Sequence, residues 1–321
     1  MSYRLFRVWG INIELHITFL LFILFFLLSF SLNHILFFAT VFSIVLFHEL
    51  IHSLVAKKSG VPVPRILLLP IGGLASIELP DDPSTELKVS LAGPLSNFFL
   101  AIISFALLKV LSAPYFGYSQ LLESLVSPGF SLTEAGAFLS LLINLNILLG
   151  GFNMLPAFPM DGGRVFRSIL ALWIDYLKAT RIAGFFGKIF SAGMIIFGLF
   201  NNIFLAVVGG FIYFAGGNET RMAALKKSFE GKRVGDIMCH DLAFANSEAS
   251  LAEFWGYIHS ADKNHYAVVD SSGNYVGIVD ARNLPDETQE NKISHYAKNS
   301  VPSVDMEKPV GDVLKNLLSN E

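Results

Sequence analysis

The sequence predicts an α-helical polytopic membrane protein, with six transmembrane helices and short interfacial β-hairpins, followed by a soluble α/β domain. Three observations predict it. Of 321 residues, 53% are hydrophobic and only 15% charged, where an ordinary soluble domain carries about 25% charged residues. The mean hydropathy is +0.56. The deficit of charge is confined to residues 1–216, whereas 218–321 mixes charged and apolar residues as a soluble chain does. These shifts divide the chain into a membrane part over 1–217, a linker over 218–231 and a soluble domain over 232–321.

Residues 3–14 mix polar and apolar side chains around Gly10, which suits a short hairpin at the membrane interface. Apolar stretches of membrane length follow near 16–32, 35–57, 86–110, 132–155, 182–200 and 203–217. Only Asn201-Asn202 separates the last two, so they read as a helical hairpin. Asn12 and Glu14 stand between Arg4, Arg7 and the first apolar run, and no small-residue cleavage site follows, so the first span is expected to remain as an anchor. Between the second and third spans, residues 61–80 carry prolines, β-branched residues and the Gly72-Gly73 turn, and are read as a second interfacial hairpin.

Lysine and arginine placement sets the orientation. With a cytoplasmic N-terminus, the inside segments carry Arg4, Arg7, Lys57, Lys58, Arg65, Lys88, Arg164, Arg167, Lys178, Arg181, Arg221, Lys226 and Lys227, while the outside loops carry at most Lys109 at a span end. This asymmetry predicts a multi-pass protein of the cell membrane whose N-terminus and C-terminal domain are cytoplasmic. A net charge of −3 without a basic stripe gives no sign of nucleic-acid binding. The single cysteine, Cys239, excludes an intramolecular disulfide framework and a four-cysteine zinc site.

The second span contains His48-Glu49-Leu50-Ile51-His52. On a helix the two histidines are one turn apart and share a face, so both imidazoles reach one ion, and the adjacent Glu49 can take a proton from a zinc-activated water. Two histidines and a glutamate in an apolar helix are costly unless they serve a site. A catalytic zinc needs a third protein ligand. Asp161 is the candidate: it follows Pro156 and Pro159, which break the helix, and precedes Gly162-Gly163, which let the backbone bend around it. Both groups fall at the cytoplasmic ends of their spans. Asn97, Asn144 and Asn146 also lie in spans, where hydrogen bonding between helices is the default expectation.

Three motifs then resemble the site-2 proteases, polytopic zinc metalloproteases: HELIH at 48–52, Ala92-Gly93-Pro94-Leu95-Ser96-Asn97 in the third span, and the stretch from Asn153 to Gly163. The resemblance covers roughly residues 1–217. It implies that His48, His52 and Asp161 bind one Zn2+, that Glu49 is the catalytic acid/base, and that Asn153 positions the substrate backbone or stabilises the oxyanion. It also implies single-span membrane proteins as substrates. Ile51 stands where the family usually has glycine.

In the tail, a helix over 248–260 followed by strands at 265–270 and 274–280, joined at Ser271-Ser272-Gly273, resembles a cystathionine-β-synthase (CBS) domain. Residues 293–321 look like the start of a second, incomplete copy, with Val310-Gly311-Asp312-Val313 opening a helix. The resemblance leaves two partners open: an adenine nucleotide, near Asp280 and Asn283, and a second copy of the chain.

The sequence therefore predicts a zinc-dependent intramembrane endopeptidase. The alternative is a non-proteolytic zinc-binding membrane protein or transporter, which calls for a fourth protein ligand or a second ion cluster along the spans. A small-molecule zinc hydrolase is the third reading, against which the two hairpins favour a polypeptide substrate.

Overall fold

The protein is seen here as a computed structural model that describes residues 2–70, 72–75, 77, 79–121, 134–261, 263–285, 291–299, 303–311 and 313. It divides into two compact units, Met1–Leu225 and Lys226–Glu321.

The first unit opens with strands β1 (Ser2–Val8) and β2 (Ile11–His16), joined by Trp9 and Gly10 at φ 46° and 84°. Positive φ at both turn positions marks a two-residue hairpin turn, and glycine adopts it without strain. Helices α1 (Ile17–Ser29) and α2 (Leu32–Lys58) follow, then strands β3 (Arg65–Leu69) and β4 (Gly72–Ala75). The four strands form one sheet in the order β1-β2-β3-β4, antiparallel except for the parallel pair β2/β3. Ile11, Ile13 and Leu15 alternate inward along β2 and meet Ile66, Leu68, Ala56 of α2 and Val89 in one apolar core.

Helix α3 (Pro83–Val110) starts at Asp82, whose carboxylate accepts hydrogen bonds from the backbone N–H groups of Ser84 and Thr85, with Pro83 at the first helical position. It packs along α4 (Ala135–Asn153). At this contact Gly150 of α4 lies against Asn97 and Phe98 of α3, where a Cβ would come within 3.2 Å of both side chains. Small residues of this kind let two apolar helices approach closely. Helix α5 (Asp161–Ala171) is short; α6 (Tyr176–Asn201) and α7 (Ile203–Phe229) complete the unit, turning at Asn202.

Among the described residues, five helices are long and apolar enough to cross a membrane: α2, α3, α4, α6 and α7. The first expected span, 16–32, instead forms the 13-residue α1, ended by extended backbone at Phe30 and Ser31. At 1.5 Å per residue it is about 20 Å long, short of the roughly 30 Å hydrocarbon core. The fourth expected span begins at residues 132–133, outside the described residues; its helix is seen from Ala135. The residues assigned to a linker, 218–231, continue α7 as far as Phe229, because Glu219–Phe229 contains no helix breaker and several strong helix formers.

The second unit has a three-stranded sheet, β5 (Ala243–Asn246), β6 (His265–Val269) and β7 (Tyr275–Asp280), with α8 (Val234–Ile237) before it and α9 (Leu251–Ala261) after β5. Its core joins Leu251, Phe254, Tyr266, Val268, Val279 and Ile293. Strand β5 was not anticipated; AFAN is too short to show an alternation. Of the helix expected to open at 310–313, residues 310, 311 and 313 are helical, and 312 and those after 313 lie outside the described residues. Asp280 accepts hydrogen bonds from the side chains of Arg282 and Asn283, and the Arg282 guanidinium draws its carboxyl down to about 2.

Candidate active site

His48 and His52 lie one turn apart on α2 and are buried, at 4% and 5% exposure. Asp161 begins α5 and comes to the same point. Its Oδ2 lies 3.1 Å from Nε2 of His48 and 3.0 Å from Nε2 of His52, and the two Nε2 atoms are 3.0 Å apart. The turn that delivers Asp161 depends on its glycines. A Cβ on Gly162 would strike the backbone of Met154 and Leu155, and one on Gly163 would lie 2.7 Å from Ala157 C and Phe158 N. The backbone just after Asn153 is thereby folded against the residue just after Asp161.

Each imidazole is oriented from behind. Nδ1 of His52 donates to the Val89 carbonyl at 2.6 Å, and Nδ1 of His48 donates to Asn97 Oδ1 at 2.5 Å. A neutral imidazole that donates through Nδ1 carries its lone pair on Nε2. Two lone pairs and a carboxylate oxygen then converge at about hydrogen-bond distance with no proton between them, an arrangement that calls for a cation. The triangle also fits zinc: bonds of about 2.0–2.1 Å in a tetrahedron set ligand atoms about 3.3 Å apart. His48, His52 and Asp161 lie close enough to form a zinc site.

Glu49 is half-buried beside the histidines, beneath β4: a Cβ on Gly73 would lie 2.7 Å from its Cγ. Asn153 is the half-buried last residue of α4. Asn97 hydrogen-bonds across to Asn146, while Asn144 donates to the Phe116 carbonyl and accepts from Tyr115 after α3.

Sequence reasoning missed the ion pair that holds α5. Arg167, six residues after Asp161, pairs with the fully buried Glu86 of α3 and with Glu219 of α7 at 3.4 Å. Tyr176 of α6 donates to Glu86 at 3.1 Å, and the guanidinium lies 4.9 Å from the Phe158 ring and 5.0 Å from that of Tyr176. The signal was there: Glu86 and Arg167 each flank an apolar run, yet nothing in the spacing pairs residues so far apart.

Several apolar helices around a buried two-histidine, one-carboxylate site with a neighbouring glutamate define a membrane metalloprotease. The chain belongs to Peptidase family M50, the site-2 proteases, whose family model matches residues 36–197, and a CBS domain matches residues 234–286. It is 35% identical over 315 residues to a zinc metalloprotease of Methanocaldococcus jannaschii, an alignment covering 96% of this chain and 84% of the relative. Among solved structures it is similar to a site-2 protease from Methanocaldococcus jannaschii, at 40% identity and a TM-score of 0.49, covering 68% of this chain and 95% of that one. The protein is a multi-pass membrane zinc metalloendopeptidase, and the transporter alternative is not favoured.

Proposed function

We propose that His48, His52 and Asp161 hold the zinc, that Glu49 is the acid/base, and that the enzyme cuts transmembrane segments of single-span membrane proteins. The convergence of the two Nε2 atoms on Asp161 Oδ2, with both Nδ1 atoms donating elsewhere, carries the ligand assignment. Held by these three residues, a zinc ion would supply the Lewis acidity that peptide-bond hydrolysis calls for. Glu49 accepts the proton of the attacking water and passes it to the leaving nitrogen. Asn153 holds the substrate backbone or the developing oxyanion by its side-chain amide.

A transmembrane helix hides its carbonyls in its own hydrogen bonds, so the substrate must unwind before it is cut. Strand β4 is an edge strand of its sheet and lies over Glu49. An unwound segment adding to that edge would lie extended along the base.

A six-passage topology with the site opening to the cytoplasm fits the sheet. Strands β2 and β3 pair in parallel although α1 and α2 lie between them. Strand β2 leads into α1 and β3 follows α2, so the chain leaves and regains the same sheet through these two helices; we read α1, with the extended residues Phe30 and Ser31 after it, as the outward leg and α2 as the return. The domain boundaries near 217 and 231, the cell membrane as location, the interfacial depth of the hairpins, and nucleotide binding or self-pairing by the CBS domain belong to the same reading. The deciding experiment incubates purified, zinc-loaded protein with a panel of single-span substrates in detergent, beside Glu49→Gln. Cleavage by the parent protein and none by the variant is expected; equal cleavage by both would overturn it.

A further inference from the structure

The two zinc-facing histidines are oriented by different means. His52 meets a backbone carbonyl, that of Val89, which can only accept. His48 meets Asn97, a side chain that can present either an acceptor or a donor. An Asn97 turned the other way would offer its NH2 group to Nδ1, move the imidazole proton to Nε2, and abolish the lone pair that faces Asp161.

What prevents this is one helix further out. Asn146 of α4 donates through Nδ2 to the Leu142 carbonyl at 2.9 Å, one turn back on its own helix. That carbonyl can only accept, so the amide of Asn146 must turn its Oδ1 outward. There it accepts from Asn97 Nδ2 at 2.8 Å. Asn97 must then turn its own Oδ1 to His48. Asn97 and Asn146 are both fully buried, in a place where an amide cannot settle its orientation against water.

We propose that Asn97 and Asn146 form a two-amide relay that carries the polarity of the Leu142 carbonyl to His48 and fixes its zinc-binding tautomer. Both are positioning residues that act through His48. The inference rests on the assignment of His48 as a zinc ligand. Partners that orient a metal-binding histidine typically change metal affinity by about 10–100-fold when removed.

The test measures zinc affinity of the full-length protein in detergent by competition with a chromophoric chelator, with cobalt absorption spectra as a second readout. Asn146→Leu frees Asn97 to flip and should weaken zinc about 10–100-fold. Adding Asn97→Asp to Asn146→Leu supplies a carboxylate that can only accept, and should restore most of the lost affinity and the parent cobalt spectrum. If the two asparagines merely tie α3 to α4, the second change adds a buried charge and lowers affinity further, which overturns the relay. Should the double variant fail to fold, Asn97→Asp is compared with Asn97→Leu. The first gives up its bond to Asn146 but still accepts from His48, so it should keep zinc while the second loses it; equal loss in both refutes the relay. Parent protein that binds no zinc would refute the ligand assignment instead, whereas parent-like affinity in Asn146→Leu refutes the relay alone.

Discussion

Gly93 lies against the two imidazoles: a Cβ built on it would sit 2.6 Å from both Cε1 and Nε2 of His48, and nearer still to Nε2 of His52. Alanine in a helix interior is ordinarily favoured over glycine by about 1 kcal/mol. Here it would push the two imidazoles, the proposed ligands, away from Asp161. Gly93→Ala is therefore expected to leave helix content by circular dichroism unchanged and to lower bound zinc, measured by elemental analysis, well below one per chain. Full zinc occupancy with parent-like affinity would show that the imidazoles have room the structure does not give them.

Gly73 makes the corresponding contact with Glu49 from the strand side. Gly73→Ala displaces either the carboxylate or the strand, while the three proposed ligands stay where they are. The expected outcome is retained zinc with strongly reduced cleavage, alongside Glu49→Gln, which keeps zinc and loses turnover because an amide cannot take up the proton of water. Elemental analysis and a cleavage assay on the same samples separate the cases. A Glu49→Gln protein without zinc would make Glu49 a ligand and displace it from the acid/base role.

How much of this was legible follows from which interactions are local. His48 and His52 are one helical turn apart, so their common face, with Glu49 beside it, could be read from spacing, and Asp161 was picked out by the prolines and glycines around it. The CBS-like order of helix, strand, turn and strand was legible because Ser271-Ser272-Gly273 marks the turn between β6 and β7. Hydropathy gave α2, α3 and α4 to within three residues at each end, but began α6 six residues late and stopped α7 twelve residues early, where charged residues continue the helix beyond the apolar run. It overextended the first, since Ser29, Phe30 and Ser31 read as membrane-compatible and the break between α1 and α2 carries no glycine or proline. Helix α5 was missed because its buried face holds glycine, serine and arginine. Long-range pairings such as Glu86 with Arg167 depend on how helices assemble, which single-chain periodicity does not encode.

That ion pair joins three helices around the carrier of Asp161. Breaking a buried pair by removing one partner typically costs about 3–5 kcal/mol, because the other charge is left uncompensated. Arg167→Leu strands Glu86, which is 0% exposed. It should lower the thermal midpoint in detergent and weaken zinc, since α5 loses its anchor six residues from Asp161. Glu86→Gln leaves Tyr176 an acceptor and should cost less. An unchanged midpoint in Arg167→Leu would mean that the packing of α5 alone holds it in place.

The topology has its own test. Single cysteines are introduced near Lys58, Ser119 and Arg221 in a chain whose Cys239 is replaced by serine. Membrane-impermeant reagent is expected to label the first and third from the cytoplasmic face and the second from the opposite face. Labelling near Ser119 and Arg221 from one side would remove one of the passages assigned to α4, α6 and α7 and overturn the proposed six.

The last expectation concerns the division of labour between the two units. His48, Glu49, His52, Asn153 and Asp161, and the asparagines and ion pairs that hold them, all precede Leu225, where the first compact unit ends. The second unit has its own core around Tyr266 and Val268. Among the described residues it holds no cluster that could bind a metal. The division falls inside α7, so a stop after Phe229 preserves that helix whole, with Glu219 still paired to Arg164 and Arg167. The shortened protein should bind one zinc and cleave, with altered rate or selectivity. The measurement is cleavage of one single-span substrate by full-length and shortened enzyme, each with and without ATP. An ATP response confined to the full-length chain would place regulation in the CBS domain. A folded, zinc-loaded short form that cuts nothing would show instead that the second unit completes the enzyme.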